Sequence, residues 1–168
     1  MATDVPGHGL EKYVWTDADF DRMGWHDCVI HGFHSGLRPE REEYDFLVDL
    51  DYIVRWVGPS PTDARFSFWL APATLVFHNA SGITIEYGPS NGDMQVSHLV
   101  RGGPRATANG LVTAYHWAFW YVGLSLWATG YTQYIRRMPV LVQKQWFELE
   151  ERGGVSFAKG REDEAARA

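Results

Sequence analysis

Potential metal ligands crowd residues 26–34: His26-Asp27-Cys28, then His31 and His34. On a regular strand His26, Cys28 and His34 share one face with Ile30, while Asp27 and His31 point the other way with Val29 and Phe33. A His-x-Cys pair on one face supplies two positions of a tetrahedral zinc site. The others would have to come from His78, His98 or His116, which stand at no recognisable spacing. The competing reading is structural: Trp25 anchors the start of a strand, and His26 and Asp27 make local hydrogen bonds there. No metal and no cofactor is assigned.

Asp45, Asp49 and Asp51 form a second constellation. Asp49 and Asp51 fall on one strand face about 7 Å apart, a spacing that suits acid and base roles or an oxygen-bound divalent cation. The same pattern is the ordinary solvent face of a half-buried strand, with Arg55 as a neighbouring charge. The third feature is the stripe Tyr115, Trp117, Phe119 and Tyr121, with His116 and Trp120 opposite. Both faces of that strand are apolar or aromatic, so both call for cover by core, a second layer, a ligand or a partner. Arg136 and Arg137 follow and are expected at a solvent-facing strand end. No nucleophile elbow, phosphate loop, dinucleotide fingerprint or H-E-x-x-H occurs, so no catalytic residue is assigned.

These residues need a scaffold, and the composition describes one. The chain has 168 residues, 45% hydrophobic and 21% charged, with a net charge of −6. That length buries enough surface to fold without a staple, and it reads as one domain: an N-terminal arm at 1–15, a β core at 16–157 and a frayed charged tail at 158–168. The aromatic share of 15% favours pleated surfaces. Period-two alternation is clearest over residues 43–57, where Tyr44, Phe46, Val48, Leu50, Tyr52, Val54 and Trp56 share a face. Strands are also predicted at 65–70, 74–78, 83–87, 94–100, 112–121 and 124–135. Turns fall at 58–61, 79–82, 88–92, 102–104 and Val122-Gly123, with Pro72 as an interruption and Gly130 as a bulge. A single helical turn is predicted after Thr16, and 140–151 reads as either a strand pair or a short helix. The predicted fold is therefore mainly β: an antiparallel sandwich, or a strongly curved and partly closed sheet, with at most one or two short helices.

Residues 106–135 carry no Asp, Glu, Lys or Arg. The window is long enough to cross a bilayer, yet its polar side chains and glycines read better as buried strands. The acidic balance and the absence of a basic run longer than Arg136-Arg137 argue against nucleic acid. The lone Cys28 and an N-terminal segment without an apolar core point to the cytoplasm.

The segments 23–28 (MGWHDC), 50–53 (LDYI), 68–77 (FWLAPATLVF) and 129–136 (TGYTQYIR) resemble a set of small uncharacterised bacterial proteins that open their first strand with Trp-His-Asp or Phe-His-Asp. Similar openings occur in immunity-protein families that neutralise toxins exchanged between bacteria. The resemblance implies a role in binding a protein partner and implies no mechanism. The expected function is a non-enzymatic cytoplasmic binding protein of immunity-like kind, whose acidic balance complements a basic partner. Its expected contact residues are Asp49, Asp51, Trp69, Trp117 and Trp120, with His26 and Asp27 of the motif beside them. The alternative is a small-molecule or metal site, even a hydrolase, inside a partly closed barrel lined by His26, His34, Asp49, Asp51 and His116. Self-association through an aromatic face is compatible with both.

Overall fold

The computed structural model describes residues 7–86, 93–107 and 110–165. Two long strands, β3 (Glu43–Val57) and β4 (Ser67–His78), form its centre. Their alternation sends Phe46, Val48, Leu50 and Tyr52, with Ala71, Ala73, Leu75 and Phe77, into the core. The other faces carry Asp45, Asp49, Asp51 and Thr74, which are also buried.

Around this pair the six-stranded sheet runs β1 (Val14–Thr16), β9 (Gly130–Ile135), β4, β3 and β2 (Val29–Arg38), and β10 (Val140–Val142) also pairs with β4. The four-stranded sheet runs β5 (Ser81–Ile85), β8 (Leu124–Ala128), β7 (Thr113–Phe119) and β6 (Leu99–Ala106). All pairings are antiparallel. Trp117 and Phe119 meet Phe77 and Tyr131 between the sheets, in ring contacts of 5.4–5.9 Å. Among the described residues the helices are short: a 3-10 helix Asp17–Arg22, α1 (Leu149–Arg152) and α2 (Glu162–Ala165). The chain is mainly β, and its two sheets do not close into a barrel among the described residues. None of the described helices is long and apolar enough to cross a membrane.

Several local expectations are corrected. Pro72 does not interrupt a strand but lies within β4, opposite Asp51. On the other edge of β4, pairing with β9 reaches Ala73 and pairing with β10 begins at Leu70. Pro72 falls at the seam between them, where its carbonyl accepts the Arg136 N–H (2.9 Å) and no ladder donor is needed. Residues 124–135 are two strands in different sheets, joined at Thr129, so Gly130 marks a sheet change and not a bulge. A Cβ on Gly130 would lie 2.4 Å from Asp17 Oδ1. Gly102-Gly103-Pro104 is an irregularity within β6 and not a turn. Of the strand expected at 94–100 only Leu99 and Val100 belong to β6; residues 94–98 precede it and bridge the sheets: Val96 N–H donates to Cys28 O (2.8 Å), Asp27 N–H to Val96 O (2.8 Å) and Trp120 N–H to His98 O (2.8 Å).

The arm is ordered where Val14–Thr16 pairs with β9. Over 140–151 the chain forms β10, a loop and the start of α1. The tail does not fray through its described part, because Glu162 meets both Arg136 (3.0 Å) and Arg137 (3.1 Å). The turn expected at 88–92 lies outside the described residues.

Candidate functional site

The structure separates the residues singled out above into a buried ionic cluster and an exposed aromatic ridge. The cluster lies on the face of the six-stranded sheet that turns away from the four-stranded one. β3 places Asp49 and Asp51 there, β4 adds Thr74, and Arg136 follows β9 directly. The segment after β10 folds back over them and delivers Arg152 from α1. Arg152 Nη1 and Nη2 donate to the two oxygens of Asp49 (2.6 and 2.7 Å), and its Nε donates to Asp51 Oδ1 (3.1 Å). Arg136 Nη1 donates to Asp49 Oδ1 and Thr74 Oγ1, both at 2.9 Å. The amides of Ser156 and Phe147 donate to Asp49 (2.9 Å) and Asp51 (2.8 Å). A register shift between Ile30 and Gly32 turns His31 to Asp51, with Nε2 at 2.7 Å from Oδ2. Gly32 lets the returning segment approach, since a Cβ there would sit 3.0 Å from Val155.

Burial alone would raise the Asp49 carboxyl. The hydrogen bond from Arg152, the Arg136 charge and the Ser156 amide outweigh it and hold Asp49 below the usual carboxylate range. Burial likewise works against a charged Arg152, and its bonds to Asp49 and Asp51 overcome that and hold its proton more firmly. Two carboxylates and two guanidiniums thus balance, with all four side chains inaccessible to solvent. Their lone pairs are committed to internal donors, so Asp49 and Asp51 are neither a solvent face nor contact residues nor a lining for catalysis. Arg136, expected at a strand end in solvent, is corrected in the same way.

His26, Cys28 and His34 do not share a face. His26 lies in an exposed turn ahead of β2. Cys28 is fully buried, its Sγ accepting the Ile53 N–H (3.5 Å), and burial pushes its thiol up to about 12. His34 is exposed beside Phe157, 5.5 Å between ring centroids. His116 lies tilted against Trp127 on the outer face of the four-stranded sheet (5.1 Å between ring centroids). These residues do not converge as a lining. Among the described residues no group of three or more His, Cys, Asp or Glu is arranged to hold a metal ion. Trp117 is fully buried, its Nε1 donating to Ala128 O (3.2 Å), and cannot serve as a contact residue. Trp69 is half-buried, edge-on to His8 of the arm (5.8 Å).

The exposed ridge lies at the end of the sandwich where β3 leaves and β4 enters. Ring contacts run from Phe66 to Trp56 (6.0 Å), Trp56 to His26 (5.9 Å), His26 to His98 (5.7 Å) and His98 to Trp120 (6.0 Å). Trp56, Phe66 and Trp120 remain 41%, 49% and 57% exposed. A groove of about 410 Å³ at the Phe66 end is lined by Phe66, Phe68, Gln145 and Trp146. Another of about 470 Å³ at the Trp120 end is lined by Trp120, Tyr121, Ala118 and Ser125. The Trp-His-Asp segment organises this end. Trp25 is buried, its Nε1 donating to Gln133 (2.9 Å). His26 joins the ridge, and Asp27, at φ 64°, accepts from Gln145 Nε2 (2.9 Å).

Trp56 and Phe66 were not singled out by sequence. The alternation over 43–57 assigns Trp56 to the core face, and the register shift between Ile53 and Arg55 pairs it with Phe68 instead. A change in the polar partner residues after Ile53, from Asp51 to Arg55, was the available signal and is a weak one. Comparison of the chain with protein-family models, curated proteins and solved structures finds no match in any of the three.

Proposed function

We propose that the protein acts by binding another protein through the aromatic ridge, as a non-enzymatic and immunity-like partner. The observation that carries this reading is the unbroken line of ring contacts through Phe66, Trp56, His26, His98 and Trp120, with its large rings open to solvent. Contiguous apolar surface is uncommon on a lone domain, and Trp and Tyr supply much of the energy at protein interfaces. Rings packed edge to face or tilted against one another are held in place before binding, which limits the entropy lost on association. The net charge of −6 favours encounter with a basic partner. The immunity role comes from the resemblance carried by Trp25-His26-Asp27, which builds this end of the molecule. A cytoplasmic location accords with the lone buried thiol.

The test is retention of a host protein on the immobilised full chain at 0.15 M and 0.5 M salt, repeated with a Trp56→Ala, Trp120→Ala double variant. A discrete partner is expected with the native chain, less of it at high salt, and none with the double variant. For the immunity role, producing that partner alone arrests growth and co-producing the native chain restores it. Equal retention by both chains rules out the ridge. A partner that never impairs growth rules out the immunity role.

A further inference from the structure

The two histidines of the ridge come from separate segments and are fixed side by side. His26 precedes β2 and His98 ends the bridge at 94–98, which is tied to residues 27–28 on one side and to Trp120 on the other. Their ring centroids are 5.7 Å apart, with ring planes at 83°. Two imidazoles that share one ion at metal–nitrogen distances of about 2.0–2.1 Å hold their centroids roughly 5 Å apart. Both rings are exposed, so either is able to turn toward a shared ion.

The second observation is on the other side of each ring. His26 Nδ1 faces Asp27 Oδ2 at 3.3 Å, and His98 Nδ1 faces Ser97 Oγ at 2.7 Å. Asp27 is held in turn by Gln145. Where that oxygen accepts from Nδ1–H, as the Asp27 carboxylate is placed to do and as the Ser97 hydroxyl does in one of its two orientations, the Nε2 lone pair is left for a ligand, the usual outer support of a metal-binding imidazole. Neither ring has its Nε2 committed to any hydrogen bond recorded among the described residues.

We propose that His26 and His98 form a two-histidine site for a late first-row divalent metal ion of the Ni²⁺, Cu²⁺ or Zn²⁺ class, bound through both Nε2 atoms. Imidazole nitrogen matches these ions in ligand softness, and two neutral ligands leave the remaining positions to water. The site is independent of the partner-binding reading, because the metal alone is the probe.

Calorimetric titration of the full chain with Ni²⁺, and separately with Zn²⁺, at pH 7.5 tests it. One ion per chain is expected. His26→Ala and His98→Ala are each expected to weaken binding at least tenfold, and His34→Ala, which alters an exposed histidine elsewhere, leaves it unchanged. Ni²⁺ is also expected to quench tryptophan emission, through Trp56 and Trp120, in the native chain and not in His26→Ala. Both ridge histidines are exposed, and native near-ultraviolet circular dichroism of each variant verifies its fold. Binding that survives either ridge substitution, or that falls equally in His34→Ala, overturns the proposal.

Discussion

Asp49 is the residue on which the buried cluster turns, since it meets both guanidiniums and the Ser156 amide. Asp49→Asn keeps the shape but removes the one carboxylate that Arg136 and Arg152 share, leaving Arg136 with the partly exposed Glu162 and Arg152 with Asp51. Removing one partner of a buried ion pair costs about 3–5 kcal/mol, and urea unfolding at pH 7 should show a loss of that order. The pH dependence has a definite sign. An Asp49 carboxyl held below its unfolded value of about 3.9 adds stability in full above that pH and loses it as pH falls through the lower folded value. Asn at 49 should therefore flatten the acid limb of stability against pH below about 4. The sequence shows that Asp49 and Asp51 share a face. It does not show that Arg152, more than a hundred residues later, covers them, because a charge pattern has period but no partner. For the same reason Arg136 reads as a surface residue until its salt bridge to Asp49 is seen.

Among the elements, β8 and β9 show how a change of sheet hides in a continuous apolar run. The alternation through Leu124, Leu126 and Ala128 is sound, and so is that through Tyr131, Gln133 and Ile135, but nothing in the pattern says the two belong to different layers. The steric signal is Gly130, against which the Asp17 carboxylate rests. Gly130→Ala should push that carboxylate away and weaken its hold on the Tyr131 N–H (3.3 Å). The expected cost is about 1–3 kcal/mol, as for overpacking of a tight contact. A parallel Gly103→Ala, where an added Cβ meets nothing within 4 Å, should shift the thermal midpoint far less. Equal shifts for the two would show that Asp17 yields freely. β3 was legible as an element for the opposite reason: its long alternation is uninterrupted until the single shift after Ile53.

At the scale of the whole molecule, mainly β architecture was legible because composition, alternation and turn chemistry agree. The order of the strands was not, since it depends on pairings distant in the chain. The sandwich also has a third layer that no strand pattern announced, the segment after β10. A chain ending at Val142 would lack Phe147, Arg152 and Ser156, leaving Asp49 and Asp51 without most of their donors. Such a chain is expected to lose the native near-ultraviolet dichroism and to bind a hydrophobic dye that the full chain does not. Native dichroism in the shortened chain would mean that the sheets hold this face unaided.

The separation of Asp49 from Arg152 has a consequence for synthesis. A ribosome makes β3 and β4 long before it makes the arginines that neutralise them, and a chain folds from its N-terminus as it emerges. Until then Asp49 and Asp51 lack the donors that satisfy them in the folded chain, and water must supply those hydrogen bonds. The cluster cannot lose its water until Phe147, Arg152 and Ser156 have been made, so its burial is expected to be a late step of folding.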